Sequence, residues 1–391
     1  MQHQYDYLII SAGMTAANAV RGIRERDAHG CIGILGEEPD PPATRPALSK
    51  KLWTDAEFAF DKIWMPTDDA TVHTHTRVTT LDREHQCVYA EDGTSFSYGK
   101  LLLATGGHPR TIDLPASERV LYFRTVEDYR RLRTLSQRTR PHIAVVGGSF
   151  IGTELAAALV QNGCQVTLIF PDRILGSRVF PHALSMHFHD SYEAEGVSLM
   201  SERHVVQGIE SEEDVQLVLD DGSELNVDGV AIGLGITPAT ALADEAGLQV
   251  KEGIVVDAQL RTLDPNIYAA GDVARYPDAR LGVTRVEHVD NANQMGQCVG
   301  RIMAGSDERY THTPYFYSNV FDFSYQAVGQ ISTQLNCVEH WVTPGRQGMV
   351  LYVEEERIKG VLLLNLNDTD KALDYARAAI DSTETSRPVW L

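Results

Sequence analysis

The sequence predicts an α/β protein built from two Rossmann-like dinucleotide-binding domains, one interrupted by the other, with a small α+β domain at the C-terminal end. Three observations predict it. A glycine turn at Gly13 joins an apolar strand to a helix near the start of the chain. A second glycine turn, Gly147 to Gly152, joins a strand to a helix in the middle. Far downstream, the apolar stretch Ile267 to Ala270 ends in Gly271-Asp272. A strand followed by Gly-Asp is by itself a plain turn. Two phosphate-type turns with a closing Gly-Asp beyond them point instead to one domain split by the insertion of another.

Bulk properties bound the function. The chain has 391 residues, enough for two or three domains. Its 34 basic and 54 acidic residues give a net charge of −20, which argues against binding nucleic acid or an anionic membrane. No apolar run reaches the ~18 residues a membrane span needs. A strand begins almost at once and nothing before it resembles a signal peptide, so a cytoplasmic protein is expected. The five cysteines (Cys31, Cys87, Cys164, Cys298, Cys337) form no C-x-x-C and no close pair. No zinc site, other metal site or local redox disulfide is therefore expected.

The elements follow in order. Tyr5 to Ile10 is a buried strand, Ser11 to Ala16 a turn, Ala17 to Arg26 a helix, and Cys31 to Leu35 a second strand ending in Glu37-Glu38. In such a unit pyrophosphate sits on the helix N-terminus and the acid accepts a ribose hydroxyl. The G-x-G-x-x-G pattern is imperfect: Ser11 stands for the first Gly and Ala16 for the third, while Gly13 is kept. Arg45 to Trp53 reads as a helix opening after a proline, with two cations beside an aromatic; Lys50 alone reads as a solvated charge. Residues 72 to 100 alternate short strands and turns, an antiparallel excursion. Leu101 to Gly107 is a buried strand ending in a Gly pair, with Pro109-Arg110 after it. Val126 to Leu135 is an amphipathic helix.

Ile143 to Val146, Gly147 to Glu154, the Ala-rich helix Leu155 to Val160 and the strand Gln165 to Phe170 make the second unit. Ser149 takes the middle Gly position, where its hydroxyl is able to bond a phosphate. Asp172 favours an unphosphorylated ribose and hence NADH, while Arg173 leaves NADPH open. Val215 to Leu219 and Leu225 to Val230 read as a hairpin. Gly253 to Val256 and Ile267 to Ala270 are strands, and Arg285 to His288 opens a helix running to about Met303. The last 80 or so residues are rich in aromatics. They carry a hairpin, Met349 to Val353 and Ile358 to Leu364, and a terminal helix, Lys371 to Ile380. There are no repeats.

On these residues the chain resembles the two-dinucleotide-domain flavoproteins, in the branch that holds apoptosis-inducing factor, monodehydroascorbate reductase and the oxygenase-type ferredoxin reductases. Arg45 to Trp53 resembles the family's RPPLSK-LW segment, and Leu103 to Arg110 resembles IATGGTPR. Val146 to Ala156 resembles IGGGFLGSELA, Tyr268 to Val273 matches YAAGDV, and Arg285 to Asp290 matches RVEHVD. Pro314 to Ser318 resembles the PYFYS stretch of monodehydroascorbate reductases, and Met349 to Leu364 is similar to the C-terminal hairpin of apoptosis-inducing factor.

The resemblance implies an FAD domain over 1–117 and 243–309, an NAD(P) domain over 118–242, and a C-terminal α+β domain over 310–391. Gly13 and Ala16 would hold the FAD pyrophosphate and Glu37 its adenosine ribose. Val78 would meet the adenine through its backbone. Arg45 and Lys50 would lie beside the flavin, Lys50 near N5. Arg110 and Asp272 would hold pyrophosphate and ribityl, and Glu287 and His288 would line the pyrimidine end of the ring. Thr105, Gly106 and Gly271 belong to the same cofactor-binding set. Gly147, Phe150, Ile151 and Gly152 would form the nicotinamide-nucleotide turn, with Gly235 beside it. Glu154 would pair with Lys50 where hydride transfers. Tyr317 takes the place of a tryptophan found beside the flavin in ferredoxin reductases. No cysteine lies between Thr44 and Trp53, which excludes the thiol-dependent disulfide reductases and peroxidases of the wider superfamily.

The expected function is an FAD-dependent NADH oxidoreductase that passes electrons to a one-electron acceptor, a ferredoxin-type protein or a small oxidant. The alternative is a redox sensor similar to apoptosis-inducing factor, whose NADH complex controls association. A fold that has lost one cofactor is the remaining reading, motivated by the two serines. Oligomeric state, a homodimer included, is left open.

Overall fold

The structure of the protein, a computed structural model, describes residues 2–67, 69–367 and 369–391. The chain divides into two compact units. The first comprises Met1–Thr44, Asp61–His108 and Thr237–Pro314; the second comprises Arg45–Phe60, Pro109–Ile236 and Tyr315–Leu391.

The first unit is organised on a sheet ordered Thr71–His73, Ile32–Leu35, Gln2–Ile10, Ser95–Leu103, Cys87–Ala90, Val78–Asp82. Gln2–Ile10 runs parallel to both neighbours, pairing Leu8 with Gly33 on one side and with Leu101 on the other. Ser95–Leu103 has two partners along its second edge. Its first half pairs antiparallel with Cys87–Ala90, and its second half pairs parallel with Ile267–Ala269. Leu8, Ile9, Leu101, Leu102, Leu103 and Ile267 are wholly buried. Such unbroken apolar runs suit strands covered on both faces. Thr71–His73, expected in the antiparallel excursion, is instead a parallel edge strand.

One face of this sheet carries the helix Met14–Arg24, packed on Val289–Met303. The crossing depends on glycine. A Cβ added at Gly22 would lie 2.0 Å from the Gln297 carbonyl oxygen, and one at Gly300 2.2 Å from that of Ala19. The helices approach at backbone distance, which fixes where the first helix begins.

The second unit contains a parallel sheet ordered Val197–Met200, Gln165–Ile169, His142–Val146, Gly229–Ile232, Val120–Tyr122. The hairpin expected to reach Val230 ends at Val227, and Gly229–Ile232 crosses into the parallel sheet beside His142–Val146. Asp228 makes the switch: its N–H donates to the His142 carbonyl and its carboxylate accepts from the His142 N–H, each at 2.8 Å. Gly229–Ile232 is buried throughout, so its apolar run belongs in a two-sided layer rather than a half-exposed hairpin. The helix His182–Ala194 and the strand Val205–Glu210 carry no sequence expectation. That helix has no side-chain cap and holds three histidines; packing of Leu184, Phe188 and Tyr192 at four-residue spacing supplies its stability.

Arg45–Phe60 is not one helix. Two single turns, Pro46–Ser49 and Lys51–Thr54, meet at Lys50, whose φ of −130° and ψ of −94° break the run. The last segment forms an antiparallel sheet ordered Tyr315–Val320, Phe323–Gly329, Arg357–Leu364, Gln347–Glu354, Asn336–Thr343, followed by the helix Thr369–Ala379. Its hairpin turns through Glu355 and Glu356 with φ of 48° and 63°, the sign a two-residue hairpin turn requires.

The helix crossing gives a stability test. Gly22→Ala is expected to cost about 1–3 kcal/mol through overpacking, read as a lower denaturant midpoint. An unchanged midpoint would contradict backbone-distance packing of these helices.

Candidate active site

The second unit brings Lys50, Glu154 and Tyr317 together. Glu154 sits in the first turns of the helix Phe150–Gln161 and is 3% exposed. Burying a carboxylate costs several kcal/mol unless it is paired and hydrogen-bonded. Three donors meet that need. Lys50 Nζ donates to Oε1 at 2.7 Å, Ser318 Oγ donates to the same oxygen at 2.7 Å, and Ser49 Oγ donates to Oε2 at 2.6 Å. The Lys50 side chain is 16% exposed, so its charge is partly shielded from water. Its ammonium lies 5.4 Å from the centre of the Tyr317 ring, a cation–π distance. Burial raises the Tyr317 phenol above its ordinary range, keeping it neutral. The break at Lys50 therefore has a local use: it turns Ser49 and Lys50 toward one carboxylate.

The glycine turn leading to Glu154 is close-packed. Gly147 has φ +117°, and a Cβ there would lie 2.4 Å from the Gly233 carbonyl oxygen. A Cβ on Gly152 would lie 1.8 Å from the Gly147 carbonyl oxygen. Ser149 opens the helix, and its hydroxyl donates to the Gly233 carbonyl at 2.8 Å. That proton is directed at the protein, not at a phosphate as the sequence alone allows. Phe150 and Ile151 are exposed, and Phe150 packs on Phe316 at 4.9 Å between ring centres. Asp172 is held by Arg178 Nε at 2.7 Å. Gly235 has φ +82° and its carbonyl accepts from the Arg110 N–H at 2.9 Å; Arg110 Nε reaches the Ile236 carbonyl at 3.3 Å. Arg45 donates to the Arg124 carbonyl at 2.6 Å.

The first unit gathers a second set. Gly13 caps the helix Met14–Arg24, in which Ala16 is wholly buried. Gly271 lies against that helix, since a Cβ on it would stand 2.3 Å from Thr15 Oγ1. Asp272 follows, its carbonyl held at 2.9 Å by Arg285, which also pairs with Glu287 at 2.8 Å. Ser11, where a first glycine is usual, has φ +93°, a conformation that costs a residue with a side chain. Thr105 donates to the Ala239 carbonyl at 2.7 Å, and the Gly106 carbonyl accepts from the Ala239 N–H at 3.0 Å. Glu37 is exposed beyond its strand, and Val78 is half-buried at the start of Val78–Asp82. Gly13 and Ser149 cap their helices without a side-chain hydrogen bond among the described residues. First-turn N–H groups at both are open to an anionic oxygen, which fits a pyrophosphate at each.

Sequence reading missed Ser49, Ser318 and Gly233. Both serines stand inside motifs that were matched, but a single serine has no periodic signal. Among the described residues no group of His, Cys, Asp or Glu is arranged to hold a metal ion, and no helix is long and apolar enough to cross a membrane.

His288 precedes the helix Val289–Met303. Burial pushes its imidazole down to about 4, against the opposing charge of Asp272, so it is neutral at neutral pH. The unfolded chain binds a proton there near pH 6.5 and the folded one does not. Stability from this group is therefore present above about pH 6.5 and lost as pH falls toward 4, by up to about 3 kcal/mol. His288→Gln is expected to flatten the fall in denaturation midpoint between pH 7 and 4.5. An equal fall in both proteins would contradict a half-buried, neutral imidazole.

Residues 5–296 match the family described as pyridine nucleotide-disulphide oxidoreductase. The chain is 36% identical over 332 residues to the ferredoxin–NAD(+) reductase component of an anthranilate 1,2-dioxygenase system from Burkholderia cepacia, covering 83% of this chain and 81% of that protein. It is 31% identical to rubredoxin–NAD(+) reductase from Pseudomonas putida, covering 94% of this chain and 97% of that protein. Its fold is similar to a chain of the covalent putidaredoxin reductase–putidaredoxin complex, with TM-score 0.86, 26% identity, and coverage of 97% of this chain and 93% of that one. With the family model matching well over half of its length, the chain belongs to the pyridine nucleotide-disulphide oxidoreductases and is an oxidoreductase.

Proposed function

We propose that the protein is an FAD-dependent NADH oxidoreductase that passes electrons to a one-electron acceptor protein of the ferredoxin type. The observation that carries this reading is the Lys50–Glu154 pair at 2.7 Å, a buried, positioned charge on the helix that follows the second glycine turn. The relatives support it: two are named for ferredoxin and rubredoxin as partners of an NAD(+) reductase.

In this reading 1–117 and 243–309 form the FAD domain, 118–242 the NAD(P) domain and 310–391 the C-terminal domain. Gly13, Ala16, Glu37, Val78, Thr105, Gly106, Arg110, Gly271, Asp272, Glu287 and His288 hold FAD, with Arg45, Lys50 and Tyr317 at its flavin end. Gly147, Phe150, Ile151, Gly152, Asp172 and Gly235 hold the nicotinamide nucleotide. Bound FAD supplies a two-electron hydride acceptor able to release electrons singly. The chain's own residues do the rest. The glycine turns let backbone N–H groups approach pyrophosphate. Lys50 places a cation where negative charge develops, and Glu154 keeps that cation from moving. NADH is the preferred donor because Asp172 suits an unphosphorylated ribose; Arg178 already holds that carboxylate, and the exposed Arg173 is the group that would favour NADPH. We place the protein in the cytoplasm.

The test is anaerobic stopped-flow reduction by NADH and by NADPH, then reoxidation by a ferredoxin-type iron–sulfur protein, rubredoxin, a quinone and ferricyanide. Fast bleaching by NADH and fast reoxidation by an iron–sulfur protein are expected. Slow turnover with NADH-dependent dimerisation would favour the redox-sensor reading. Lys50→Ala is expected to slow bleaching at saturating NADH about 10²-fold; a wild-type rate would remove Lys50 from the mechanism.

A further inference from the structure

Glu154 has two carboxylate oxygens and one cationic partner. Lys50 occupies part of Oε1 and leaves Oε2 to another donor. The two hydroxyls that complete the set are themselves buried: Ser49 is 2% exposed and Ser318 0%. They come from different elements, Ser49 from the turn Pro46–Ser49 and Ser318 from the strand Tyr315–Val320 of the C-terminal sheet. Ser318 has one hydroxyl proton, and it is given to Glu154. A chain of hydrogen bonds thus runs from the C-terminal sheet through Ser318 and Glu154 to the Lys50 ammonium.

We propose that Ser49 and Ser318 are positioning residues. Their hydroxyls fix the Glu154 carboxylate so that Lys50 is held in one place, and Ser318 makes the C-terminal sheet part of the reducing site. This rests on the oxidoreductase reading above. The physical reason is the cost of leaving a buried carboxylate short of donors. With one hydroxyl removed, the carboxylate regains donors by turning, and Lys50 follows it. Neither serine touches the reacting groups; each acts through Glu154.

The experiment uses the flavin-loaded protein and the variants Ser318→Ala, Ser49→Ala and Ser318→Thr, each with and without Lys50→Ala. Two quantities are read: the limiting rate of reduction by NADH, separated from NADH affinity, and the midpoint potential from a dye-coupled titration that uses no NADH. Each serine-to-alanine change is expected to lower the limiting rate about tenfold, with little change in NADH affinity, and to move the potential to more negative values. Ser318→Thr, which keeps the hydroxyl, is expected to restore both. In the Lys50→Ala background the serine changes are expected to add nothing, because the group they position is gone. A role in packing alone would leave the potential unmoved or act equally in both backgrounds, and would overturn the proposal. Wild-type behaviour of both alanine variants would also overturn it, while a slow Lys50→Ala variant would leave the oxidoreductase reading standing. If NADH fails to reduce the wild type, both fall together.

Discussion

A buried carboxylate must collect donors, and Glu154 collects them from far along the chain. Ser49 and Lys50 stand 105 and 104 residues before it in sequence, and Ser318 stands 164 after it. The second unit has to bring two distant stretches of chain to one side chain. The Arg45–Phe60 segment must pack against the helix Phe150–Gln161. The chain must break at Lys50, and the C-terminal sheet must present the strand Tyr315–Val320. Removing Glu154 would leave a partly buried ammonium and two buried hydroxyls without their acceptor, so the carboxylate is as much a folding constraint as a chemical one.

What was readable in the sequence is what short-range sterics write into it. Gly147 and Gly152 are required by atoms within the same turn or on the adjacent strand, so the glycines themselves mark the turn. The stretches Tyr7 to Ile10 and Ile143 to Val146 are apolar without a break because both faces are covered. Harder cases were decided at long range. Gly229–Ile232 reads like the end of a hairpin until Asp228 ties it to His142. His182–Ala194 has poor helical propensity and is stabilised by what its buried residues touch. At the site, Ser149 matched a motif position, yet the bond from its hydroxyl to Gly233 depends on a strand 84 residues away. Ser49 and Ser318 were hidden for the same reason: a hydroxyl donor is recognisable only once its acceptor is in place.

The thiols take no part in this account. Burial raises Cys164 to about 11 and Cys298 to about 12, so neither is a thiolate at neutral pH. The family is named for disulphide chemistry, but this chain has no cysteine between Thr44 and Trp53. Its proposed chemistry runs instead on a fixed positive charge, with the charge held by hydrogen bonds rather than by a covalent bond.

Glu154→Gln tests that idea most directly, because it keeps the shape of the side chain and removes its charge. The measurement is the anaerobic single-turnover rate of reduction by saturating NADH. A Lys50 held in place by this carboxylate should make the variant slow, within a few-fold of Lys50→Ala. A rate equal to that of the wild type would contradict the account.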